Sequence, residues 1–108
     1  MNGAFMKPGY TAVAGSTLAI PLTHGVVKKT TGGAEALTLA NGLPGQLVHI
    51  ILVTDGGTGT LTPATATGVA TIIFADAGDR ASLLYVNDTI GWIVLGLSGV
   101  AGPPVTTV

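Results

Sequence analysis

Few residues in this 108-residue chain can do chemistry. There are two histidines (His24, His49), five carboxylates (Glu35, Asp55, Asp76, Asp79, Asp88), three serines (Ser16, Ser82, Ser98) and no cysteine. The absence of cysteine removes disulfides, thiolate metal sites and thiol nucleophiles together. Four of the five carboxylates fall in expected turns, where Asp is favoured because its side chain bonds nearby backbone amides. Asp76 and Asp79 share one such turn. They form neither a glycosidase pair with separated environments nor a calcium loop of adequate ligand density, so they read as a cap or salt bridge. His24 and His49 lack metal-ligand spacing. His49, set in an apolar strand, reads as a packing histidine that needs a hydrogen-bond partner if it is buried. None of the serines sits in a Gly-x-Ser-x-Gly elbow. Gly56-Gly57-Thr58-Gly59 lacks a P-loop lysine and is followed by Thr-Leu-Thr-Pro instead of a helix, so no phosphate cradle is expected. The chain is read as a non-enzyme without cofactor or metal.

Charge narrows the partners further. Only 8% of residues are charged and the net charge is −1, with Lys28-Lys29 the only basic pair. Nucleic acid is held by several cations together, so it is not an expected partner. Hydrophobic residues make up 47%, which excludes intrinsic disorder because the chain can bury enough apolar surface to offset the entropy of ordering. The two long uncharged runs, 56–75 and 89–108, are interrupted by Gly, Pro and Thr and do not read as membrane spans. Nor does the amino-terminal stretch read as a signal peptide, and we expect a soluble protein that is not exported.

The elements that must position these residues are short strands. Seventeen glycines, six prolines and sixteen threonines cut the chain into brief apolar runs, a pattern of strands and turns in which long helices have no room. We expect an all-β fold: short antiparallel strands forming a small sandwich, barrel or prism-like module. Residues 1–25 lack regular alternation and read as an N-terminal arm, 26–102 as the β domain, and 103–108 as an extended tail. In the arm, Phe5, Met6, Tyr10, Leu18 and Ile20 are apolar enough to lie along a partner. Short strands are expected at 26–29, 36–39, 69–74, 81–86 and 92–97. The strongest runs from Gln46 to Thr54, and hairpins are expected across Asp55-Gly56-Gly57 and across Ala75–Arg80. That strongest strand sets Leu47, His49, Ile51 and Val53 on one face and Val48, Ile50 and Leu52 on the other. A strand apolar on both faces is sandwiched in a core or covered by another subunit. We therefore expect another subunit to cover it, with Leu47, His49, Ile51, Val53, Ile73, Leu83 and Val94 forming a subunit interface or core. No internal repeat stands out; Thr-Asp-Gly-Gly and Ala-Gly-Asp, each after an apolar strand, are weak echoes of turn chemistry.

The segments Thr30–Leu39 and Gly45–Ile50 resemble small β-rich virion proteins of tailed bacteriophages, particularly those of cyanophages. Leu52–Gly57, Phe74–Asp79, Ala81–Tyr85 and Gly91–Val94 extend the resemblance over most of the chain. It implies a capsid decoration, or cement, protein: a homotrimer on the capsid exterior, made in the host cytoplasm. Such a trimer binds the major capsid protein and reinforces contacts between capsomers. A trimeric tail, baseplate or fibre module is the alternative within the same structural class, and a small carbohydrate-binding β module the alternative outside it.

Overall fold

The structure, a computed structural model, describes residues 7–108, with side chains from Tyr10 onward. Nine strands and no helix occur among the described residues: β1 (Lys7–Val13), β2 (His24–Thr30), β3 (Glu35–Leu39), β4 (Leu47–Thr54), β5 (Gly59–Pro63), β6 (Thr71–Phe74), β7 (Arg80–Tyr85), β8 (Trp92–Ser98) and β9 (Val105–Thr107). No helix long and apolar enough to cross a membrane is present among them. The strands form two sheets, one of five in the order β1-β2-β4-β7-β8 and one of four in the order β3-β5-β6-β9. A single apolar core draws on both.

The all-β expectation holds, but the sheets are mixed. β1, β2 and β4 run parallel to one another, as do β3 and β5; only β6 to β9 enter antiparallel. The chain winds between the sheets as a coil. From β1 it crosses to Ala19, bridged in parallel to Thr38 of β3. It returns to β2, crosses to β3, returns to β4 and crosses to β5. The hairpins expected at Asp55-Gly56-Gly57 and at Ala75–Arg80 are therefore inter-sheet corners, since β4 and β5 lie in different sheets, as do β6 and β7.

Close packing of corners explains the outcome. A Cβ on Gly56 would lie 2.0 Å from the Thr31 carbonyl oxygen, and one on Gly57 would lie 2.2 Å from the Gly33 carbonyl carbon. Neither glycine has a positive φ. They are there so that one corner's backbone can rest on the previous one. Thr31, 2% exposed, ties the layers by donating to the Gly57 carbonyl at 2.7 Å and accepting from the Gly56 amide at 3.0 Å.

Alternation places the core. In β4, Val48, Ile50 and Leu52 point inward and are buried. They meet Leu37, Leu39, Leu61, Ile72 and Phe74 of the opposite sheet. Trp92 closes one end: its ring meets Tyr85 edge-on with centroids 5.2 Å apart, and its Nε1 donates to the Ala40 carbonyl at 3.0 Å, so the buried indole polar group is satisfied.

The termini are part of this architecture from Lys7 onward. The boundary expected after Gly25 falls inside β2, β1 pairs with β2, and Ile20 lies in the core at 4% exposure. Residues 105–107 of the expected tail pair with β6 as β9. Both segments look irregular in sequence because each buries only a few side chains, while their backbone bonds to an existing edge order them.

Candidate functional site

The five-stranded sheet carries the face of β4 that the core does not use. Cross-strand register sets its outward side chains in rows. One row runs Tyr10, Val26, His49, Ser82, Gly96; the next runs Ala12, Lys28, Ile51, Arg80, Ser98. A further row joins Leu47, Leu84 and Ile93. The face is mostly apolar, with Leu47 and Val53 each 42% exposed. An open groove of about 480 Å³ crosses it, lined by Val26, His49, Ile51, Arg80, Ser82 and Gly96 among others.

Two polar pairs mark the groove. His49 Nδ1 and Ser82 Oγ are 2.7 Å apart, a contact set by their positions as direct cross-strand partners. Arg80 Nη2 donates to Ser98 Oγ at 3.0 Å and Nη1 to the Gly78 carbonyl at 3.1 Å. A histidine on a serine is part of a nucleophilic relay, but a relay also needs a group that orients the ring. No carboxylate contacts His49 among the described residues, and the pair amounts to a polar spot on an apolar floor. Sequence reasoning considered His49 for a packing role; it is exposed. Ser82, set aside in sequence for want of a nucleophile elbow, meets His49 only through the β4–β7 register.

Four of the five carboxylates are engaged elsewhere. Glu35 Oε1 lies 2.9 Å from Lys29 Nζ, with side chains 8% and 1% exposed. Lys29 also donates to the carbonyls of Ala14 at 2.8 Å and Thr17 at 2.6 Å. Glu35 Oε2 accepts the amides of Ser16 and Gly32. These contacts, led by the Ser16 amide and followed by Lys29 and Gly32, hold the Glu35 carboxyl down to about 2. The pair bolts the first two corners of the coil together. Asp79, buried, accepts the amides of Ala75 and Asp76 through Oδ2, the turn-capping role read from sequence. Asp55 caps its own turn at the Gly57 amide. Asp88 accepts the Tyr85 hydroxyl at 2.5 Å, which pushes the phenol up to about 12. No cluster of three or more His, Asp or Glu side chains suited to a metal occurs among the described residues.

The residues expected at a subunit interface or core separate into three places. Leu47, His49, Ile51 and Val53 share the outer face just described. Leu83 is fully buried, and Val94 packs against the core. Ile73 lies half-buried on the outer face of the four-stranded sheet, in register with Thr60 and Val105. They do not form one surface, because alternation sends neighbouring residues to opposite sides and Ile73 belongs to the other sheet. The apolar residues expected along the arm also diverge. Ile20 is in the core, Tyr10 lies under Lys28 with the ammonium 3.7 Å from the ring centroid, and Leu18 is exposed beside β3. Phe5 and Met6 lie outside the described residues.

The outer face of the four-stranded sheet has a different chemistry. Ala36, Thr38, Thr60, Thr62, Thr71 and Thr107 give it a neutral, hydroxyl-rich surface, on which the Thr71 and Thr107 hydroxyls lie 2.6 Å apart. No protein-family model, curated protein or solved structure matches the chain.

Proposed function

We propose that the chain is a structural protein of a tailed-phage virion: a homotrimeric decoration protein that binds the major capsid protein on the outside of the assembled head. It acts without catalysis, cofactor, nucleic acid or membrane. The observation that carries this reading is the outer face of the five-stranded sheet. An apolar sheet face of this kind is what an assembly protein would cover on docking. The resemblance of the β2–β3 and β4 segments to phage virion proteins supplies the kind of assembly. The mechanism is mass action: a trimer that binds the assembled shell, and not its free subunits, adds its binding free energy to the shell. Three linked copies raise that affinity by avidity.

Two measurements test the reading. Light scattering on the dilute protein is expected to give a mass of about three chains. Sedimentation with undecorated, expanded heads is expected to bring the protein down with the shell. A monomer that ignores heads overturns the proposal, and retention on purified tails moves the protein to the tail.

A further inference from the structure

We infer that the groove on the five-stranded sheet receives a carboxylate-bearing apolar segment of a partner protein, inserted over Gly96. This rests on the reading of the chain as an assembly protein and names the chemistry its partner presents.

Gly96 is the first observation. It lies mid-strand in β8, without positive φ, and a Cβ there would meet nothing within 4 Å. Neither backbone geometry nor internal crowding calls for glycine, in contrast to Gly56 and Gly57 in the corners. A strand-interior glycine weakens its strand and marks places where another backbone or ligand comes close. Here the open side faces outward, next to Ser82 in the cross-strand row. The register slips at Leu95, which stands as an extra, 54% exposed residue between the Ser82–Gly96 and Leu83–Val94 pairs. Bulges of this kind re-aim side chains next to sites.

Charge is the second observation. Lys29 is buried in its ion pair and Lys28 lies over the Tyr10 ring toward the β1 edge, whereas Arg80 lines the groove. The five strands of this sheet contain no Asp or Glu. Arg80 spends two N–H groups on Gly78 and Ser98, out of the five donors a guanidinium carries. Donors therefore remain for a carboxylate, which Arg binds in fork geometry. Ser82 and His49 add polar contacts at the groove floor.

The complementary occupant is anionic and apolar. A second copy docked face to face by a two-fold would set Arg80 against sheet strands that carry no carboxylate, leaving the guanidinium desolvated and unpaired. A small ligand would leave Leu47 and Val53, each 42% exposed beyond the groove, uncovered. A protein segment covers both the notch and its apolar surroundings.

The test pans a displayed library of random peptides against the immobilised full chain and measures the dominant peptide, as a synthetic copy, against variants. Enriched peptides are expected to carry Asp or Glu flanked by Val, Ile, Leu or Phe. Their affinity is expected to fall about tenfold or more in both Gly96→Val, which fills the notch, and Arg80→Gln, which removes the charge. Thr62→Val, on the opposite sheet, should leave it unchanged, and added salt should weaken it. Gly96→Ala serves if Gly96→Val melts early. Peptides without carboxylates, no enrichment, or equal binding by the variants overturns the inference. So does a wild-type oligomer that Gly96→Val and Arg80→Gln dissociate, since a second copy would then fill the notch. Head binding separates the two proposals. Heads bound equally by both variants sink the notch alone; selected peptides with no head binding sink the virion reading alone.

Discussion

Replacing Ile50 and Ile51 separately by alanine distinguishes the two faces of β4. Ile50 is 1% exposed in the core, and Ile51 is half-buried on the outer face beside the groove. Ile50→Ala removes three carbons, which at about 0.8 kcal/mol per buried methylene amounts to roughly 2.4 kcal/mol of transfer free energy. The cavity left between the sheets adds to this, for a total of about 3–4 kcal/mol. Against a domain stability of roughly 5–15 kcal/mol, that lowers Tm by about 12–32 °C at roughly 4–8 °C per kcal/mol. Ile51→Ala loses part of one side chain's contact on an open surface, with a cost of about 1 kcal/mol. The assay is thermal and urea unfolding in dilute solution, repeated over a range of concentrations to expose any contribution from assembly. Equal, concentration-independent losses for the two variants would mean that the outer face is packed within the chain, and the docking reading would fall. At assembling concentrations, Ile51→Ala should weaken partner binding while leaving the fold intact.

Three further outcomes are expected. The Glu35 carboxyl has a folded pKa of about 2 against an ordinary 4.5, so its contribution is complete above pH 4.5 and is lost as the pH falls from there through about 2; Glu35→Gln should flatten denaturant midpoints across that window. The Tyr85 phenol, raised to about 12 from 10.0, contributes fully below pH 10 and loses its contribution as the pH rises toward 12; tyrosinate absorbance should show the raised titration, and Asp88→Asn should bring it down. Gly57→Ala would drive a Cβ into the Gly33 backbone and should cost roughly 2–4 kcal/mol in urea unfolding, whereas Gly96→Ala should be near neutral.

Strand positions were legible in the sequence because period-two alternation and turn residues are local signals. Ala36–Leu39, Gln46–Thr54 and Trp92–Leu97 lie within about one residue of β3, β4 and the start of β8. The two apolar faces of β4 were equally plain, and so was the turn role of Asp79. Which face entered the core was not, since both are apolar and only the opposite sheet decides. Pairing was misread for the same reason. Asp-Gly-Gly after a strand signals a reversal, but whether the chain returns beside its own strand or crosses to the other sheet depends on what the glycines rest against. Here Gly56 and Gly57 rest on Thr31 and Gly33, so the three corners at Gly15, Gly32-Gly33 and Gly56-Gly57 stack.

The sequence by itself determined an all-β chain with a low charge and a strand apolar on both faces, because composition and alternation act residue by residue. Only the tertiary structure decided the rest. It joined Lys29 to Glu35 across a corner, set Ser82 against His49 across two strands, and brought Arg80 to the groove that holds an open glycine. The first depends on how a corner folds back between the sheets; the other two rest on register between segments distant in sequence, and a one-residue slip would have sent the same side chains to the opposite face.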